Sequence, residues 1–127
     1  MSEQPRYGIL IVEDDAEIRI LLGEVFRLEK FDVYQAPDGE EALLLFNAHQ
    51  DKIALMITDL GLPKLGGVEL IAKIRAINPR MKIIGSSGYG RANIADEVIQ
   101  AGGDEFMPKP YVTTELIKSV KRLLSIG

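Results

Sequence analysis

Short apolar runs alternate five times with stretches of helical periodicity along these 127 residues, and that alternation constrains the fold more than any other feature. Strands alternating with helices form a parallel sheet, because each right-handed crossover lays its helix on a face of the sheet. Both faces are then covered, so the strands read as nearly continuous apolar runs.

Tyr7 to Val12 reads as a buried strand, after which Ile18, Leu21, Leu22, Val25 and Phe26 recur at helical spacing. Phe31 to Gln35 is a second strand. Asp38 then opens a helix with Glu41 three residues on, a capping-box-like start, and Leu44, Leu45 and Ala48 continue it. Ile53 to Thr58 is a third strand, and Leu60 to Gly67 a loop. Leu70, Ile71, Ile74 and Ile77 mark the next helical face, which Pro79 closes. Met81 to Ser86, a weakly amphipathic helix from Asn93 to Ala101, and Asp104 to Met107 follow. Leu116, Ile117, Val120, Leu123 and Leu124 define the last helix. The expected architecture is α/β: a flavodoxin-like, doubly wound sandwich of five parallel strands and five helices, in strand order 2-1-3-4-5. One domain of residues 1–127, with 1–6 as an N-terminal tail, suits this length.

Parallel strands share one carboxyl edge, where ligands bind in such sheets. Glu13 and Asp14 follow the first strand, Asp59 the third, Ser87 the fourth and Lys109 the fifth. Carboxylates crowded at that edge repel one another, and a divalent cation relieves the repulsion. Mg²⁺ is the expected ion, with Mn²⁺ as a substitute, because it is held by one or two carboxylates plus a phosphate. Taken singly, each residue has an ordinary reading. The acids can cap a helix, Asp59 can serve a turn, Ser87 and Lys109 can be loop groups, and Phe106 can be a core aromatic. Their order along one sheet edge is what points to a site.

Composition narrows the function classes. A net charge of -4 and a pI near 5.0 give no positive field for nucleic acid or anionic lipid. The first apolar run is too short for a membrane span or signal segment, so a cytoplasmic protein is expected. The absence of cysteine excludes disulfides, thiol catalysis and thiolate metal sites. His49, the only histidine, stands near a helix end with no acidic cluster beside it in the sequence. Lys118, Lys121 and Arg122 read as a solvated helix face.

Four segments, ILIVEDD, MITDLGLP followed by GG, GSSGYG and EFMPKP, resemble the response-regulator receiver domain of two-component signalling and phosphorelays, in order and over essentially the whole chain. The resemblance implies that Asp59 is the phosphoacceptor and that Glu13, Asp14, Asp59 and the Gly61 backbone carbonyl hold the metal. It further implies that Lys109 contacts the phosphoryl group, that Ser87 is the switch hydroxyl and Phe106 the switch aromatic, and that the Lys109-Pro110 bond is cis. Glu13 departs from the commoner aspartate. The implied donor is a phosphohistidine on a sensor histidine kinase or phosphotransfer protein, and the output a contact with a downstream protein. The chain is expected to modify its own Asp59 without turning over small substrates. It would be a stand-alone receiver or part of a larger protein such as a hybrid histidine kinase.

Two other classes stay open at this point. A Mg²⁺-dependent phosphohydrolase would use Asp59 as nucleophile, although no paired D-x-D motif or cap insertion accompanies it. A nucleotide or flavin module of the same fold is disfavoured, because acids occupy the loop where an anion needs N–H donors and glycine.

Overall fold

The computed structural model describes residues 6–88 and 93–126. Strands β1 (Gly8–Val12), β2 (Asp32–Ala36), β3 (Ile53–Asp59), β4 (Lys82–Ser87) and β5 (Glu105–Pro108) alternate with helices α1 (Ala16–Leu28), α2 (Gly39–Ala48), α3 (Gly67–Ile77), α4 (Ile94–Ala101) and α5 (Thr113–Leu123). All strand pairs are parallel, as the alternation predicts, and lie in the order 2-1-3-4-5 expected of a flavodoxin-like sheet.

Successive side chains of a strand point to opposite faces, and the core divides accordingly. Leu10, Val12, Met56 and Ile83 meet Ala42 and Phe46 of α2, Leu70, Ile71 and Ile74 of α3, and Val98 of α4. Ile9, Ile11, Leu55, Ile57 and Ile84 meet Leu22 and Phe26 of α1 and Leu116 and Val120 of α5. Phe31 precedes β2 and does not pair; it packs edge-on against Phe26, with ring centroids 5.8 Å apart. Leu21 and Ile77, at helical spacing with buried neighbours, are 57% and 44% exposed. Lys121 and Arg122 are not merely solvated: they pair with Glu29 and Glu105. His49 caps the C-terminus of α2 and lies against the Tyr34 ring.

Local chemistry sets the helix ends. Asp38 caps α2 by accepting from Glu41 N at 2.9 Å, as its spacing to Glu41 predicts. Gly102 ends α4 with φ 109, a conformation glycine adopts without a Cβ penalty. At Gly85 and Gly103 a Cβ would come within 2.8 Å and 2.5 Å of Val98, so Val98 is seated in a notch between two backbones.

The amino edge of the sheet is tied by Arg75. Its guanidinium donates to Gly102 O, Pro79 O and Met81 O at 2.6 to 2.8 Å and pairs with Asp104 at 2.8 Å. Asp104 in turn accepts from Ile83 N. One side chain thus joins α3, β4 and the entry to β5.

Candidate functional site

At the carboxyl edge, β1 delivers Glu13 and Asp14 directly past Val12. An acidic pair in this place commonly caps the next helix, but here Asp15 does that, accepting from Glu17 N and Ile18 N. Glu13 and Asp14 are therefore released for the edge. Asp59 closes β3 in register with Ser86, and Gly67 lets the following loop return, since a Cβ there would lie 2.3 Å from Asp59 O. One carboxylate oxygen from each of Glu13, Asp14 and Asp59 falls in a cluster no more than 4.8 Å across.

Lys109 reaches this cluster from the loop after β5. Its N–H donates to Ser87 O at 3.0 Å, the Lys109-Pro110 bond is cis, and its ammonium lies 2.5 Å from Glu13 Oε1 and 3.5 Å from Asp59 Oδ2. Glu13 is 2% exposed and also accepts from Asp15 N at 3.1 Å. Asp59 Oδ1 accepts a long bond from Gly61 N at 3.4 Å. Burial pushes the Glu13 carboxyl above its usual range, a rise that the Lys109 bond and Asp15 N–H oppose and the Asp59 charge assists. Burial works against the Lys109 ammonium, yet the Glu13 bond and the Asp59 charge outweigh it and hold its pKa above the ordinary value.

The charges do not balance. Three acids face one ammonium, and like charges about 5 Å apart repel by about 3 kcal/mol per pair at an effective dielectric near 20, before screening at exposed Asp14. Two negative charges remain, and all the free ligand atoms are oxygens. A hard divalent cation fits that donor set.

Ser87 ends β4 beside Asp59's register partner, and its carbonyl holds the lysine loop. Phe106 pairs with Gly85 in β5 and lies partly buried against the α2–α3–α4 face. Gly61 is exposed, and a Cβ there would meet nothing within 4 Å. Tyr89, in the GSSGYG segment, lies outside the described residues.

Sequence reasoning missed three neighbours of the site. Asp15 is legible in hindsight as the better-placed cap. Arg19 donates to Glu13 O at 2.7 Å. Tyr111 packs behind Lys109, and burial pushes its phenol up to about 12, with the Ser86 hydroxyl and the Lys109 charge opposing. Ser86 Oγ is fully buried and makes no hydrogen bond of good geometry, although the Tyr111 hydroxyl is close enough to interact with it electrostatically. Tyr111 also lines a cavity of about 450 Å³ with Ile18, Leu21, Leu22, Lys109 and Pro110.

The family described as the response regulator receiver domain matches residues 9–121. Sporulation initiation phosphotransferase F of Bacillus subtilis is 30% identical over 118 residues, covering 93% of this chain and 94% of that protein. A cyclic di-GMP phosphodiesterase of Thermotoga maritima is 34% identical over 110 residues, 87% of this chain but 28% of that protein. The chain spans about half the length of the transcriptional regulatory proteins it also matches. A CheY-like receiver domain from Methanospirillum hungatei superposes with a TM-score of 0.89 at 28% identity, covering 94% of each chain. The chain therefore belongs to the response regulator receiver domain family, the phosphoacceptor switches of two-component and phosphorelay signalling.

Proposed function

We propose that Asp59 is the residue that accepts the phosphoryl group. The observation that carries this reading is its position: it closes β3 beside two further acids and 3.5 Å from the Lys109 ammonium, and it stays partly accessible, whereas Glu13 is buried with its two oxygens engaged by Lys109 and Asp15 N. An Asp59 oxygen attacks phosphorus in line, the phosphorus–nitrogen bond of a donor phosphohistidine breaks, and the electron pair leaves with the imidazole. The product is an acyl phosphate on Asp59. Lys109 neutralises charge on the phosphoryl oxygens, and Ser87 supplies a hydroxyl donor. Glu13, Asp14, Asp59 and the Gly61 carbonyl would hold Mg²⁺, which supplies positive charge for the phosphoryl oxygens. Asp14 would ligate the ion directly and Glu13 would act mainly through water.

The donor is a sensor histidine kinase or phosphotransfer protein. The apolar cavity beside Lys109 offers such a protein a resting place within reach of Asp59. The protein acts in the cytoplasm, in keeping with the lack, among the described residues, of any helix long and apolar enough to cross a membrane. On phosphorylation Ser87 moves onto the new phosphoryl oxygens, Phe106 turns inward, and the α4–β5–α5 face changes its affinity for a downstream protein. A coupling of about 1–3 kcal/mol, roughly 5- to 150-fold, is usual between linked sites.

Intact mass after incubation with Mg²⁺ and a small acyl phosphate tests the assignment. Label appears in the wild type and is absent from Asp59→Ala; stoichiometric label in that variant rules Asp59 out. Ser87→Ala accepts label but loses the phosphorylation-dependent change in partner binding. An undiminished change there removes the switch role.

A further inference from the structure

We infer that Arg19 is a positioning residue for the divalent-cation site, acting through the peptide that joins Glu13 to Asp14. The inference rests on the metal-site reading above.

β1 and β2 pair only as far as Val12 and Ala36, and Glu13 N still reaches Ala36 O. The Glu13 carbonyl lies past the end of that ladder. Arg19 supplies its partner, with Nη1 at 2.7 Å. A peptide unit is planar, so fixing that carbonyl fixes the direction in which the chain enters Asp14. The guanidinium goes to the carbonyl and not to the Glu13 carboxylate, which Asp15 N and Lys109 already occupy.

Arg19 is itself held. It lies in the first turn of α1, where its N–H bonds Asp15 O, and helical side chains lean toward the helix N-terminus and so toward Glu13. Its own carbonyl accepts from Gln35 Nε2 of β2 at 2.5 Å. Gly23 makes room for that amide, because a Cβ there would lie 2.5 Å from it. A chain of contacts therefore runs from Gly23 and Gln35 through Arg19 to the acids. A cation near a helix N-terminus opposes the macrodipole, so its position there calls for a compensating contact.

The same geometry separates positioning from simple charge. As a charge alone, Arg19 repels a cation, and its removal tightens Mg²⁺ binding. As a brace, its removal weakens it. Partners behind metal ligands commonly change affinity by roughly 10–100-fold. Mg²⁺ titration of the full chain, followed by amide shifts, is expected to show Arg19→Met weakened about tenfold, the lower end of that range. Arg19→Lys, which keeps a donor, recovers most of the loss, and urea midpoints confirm that both variants are folded. Unchanged or tighter binding in Arg19→Met overturns the inference. Asp14→Ala is the control: if it binds Mg²⁺ as the wild type does, the metal-site reading fails and this inference with it. A weakened Asp14→Ala beside an unaffected Arg19→Met defeats the brace alone. In the wild type, a slowly exchanging Arg19 guanidinium proton is expected with and without Mg²⁺; its absence in both also overturns the inference, whatever the variants do.

Discussion

The two ends of the sheet solve opposite problems with the same kinds of side chain. At the amino edge, Arg75 places its donors on three carbonyls and one carboxylate, and Asp104 passes the contact on to β4. All three nitrogens of the guanidinium are engaged. At the carboxyl edge, among the described residues, three acids share a single lysine, the Asp59 carboxylate has only a 3.4 Å backbone bond and a 3.5 Å ion pair, and Ser86 Oγ lacks a well-aligned partner. The first arrangement holds the fold together. The second stores repulsion that a cation or a phosphoryl group can relieve, so affinity at this edge comes at some cost in stability.

The sharpest way to break this contrast is Asp59→Asn. It removes the nucleophile and one of the crowded charges, so phosphoryl label disappears while the unfolding free energy is unchanged or rises by up to about 2 kcal/mol. A loss of stability in urea titration would refute the claim that the carboxyl edge is strained by charge. Arg75→Met is the mirror experiment. It should cost about 3 kcal/mol, since hydrogen bonds to a charged group are worth roughly 1.5–3 kcal/mol each and the freed carbonyls recover water only in part. Mg²⁺ affinity should stay within about twofold, as distant sites behave independently. A large change in metal affinity would mean that the two edges are coupled.

Tyr111 sharpens the contrast in pH. Its phenol titrates near 12 in the folded chain against 10.0 for the free group. The unfolded chain therefore loses this proton first, and stability falls as pH rises from 10 to 12, by about 3 kcal/mol over the window. Below pH 10 the contribution is fully present. Tyr111→Phe should flatten that alkaline decline, and an equally steep fall in the variant would show that other groups cause it. The smallest effect is expected at Gly61. A side chain there meets open space, so Gly61→Gln should change stability by less than about 0.5 kcal/mol. It should also lengthen the life of the acyl phosphate a few-fold by partly covering it. An unchanged rate of phosphate loss would show that water does not approach over residue 61.

The alternation of runs and helices made the parallel, doubly covered sheet legible, the strand order followed from the flavodoxin-like reading, and the polar residues after each run marked the edge where the acids and lysine meet. What the apolar runs misplaced was the strand ends. β2, β4 and β5 each begin and end one residue later than their apolar runs, and β3 extends to Asp59. Hydrophobicity reports burial, whereas the ladder continues through Asp59 and Ser87, which are polar because they face the site. Helical spacing likewise could not tell Leu21 from Leu22: both line the cavity beside Tyr111, but only Leu22 also packs into the core. Arg19 was invisible for another reason: its partner is a backbone carbonyl, which no sequence pattern names.

Val98 gives this fold a mechanical property. It is keyed into the space left by the missing side chain of Gly85, on the same strand that ends in Ser87. Most helices meet a sheet through interdigitated side chains from both elements, packed as closely as an organic crystal. Here a side chain of the helix, Val98, meets the β4 backbone with no β4 side chain between them. A shift of β4 is therefore expected to press directly on α4, a closeness that rests on the absence of one methyl group at Gly85.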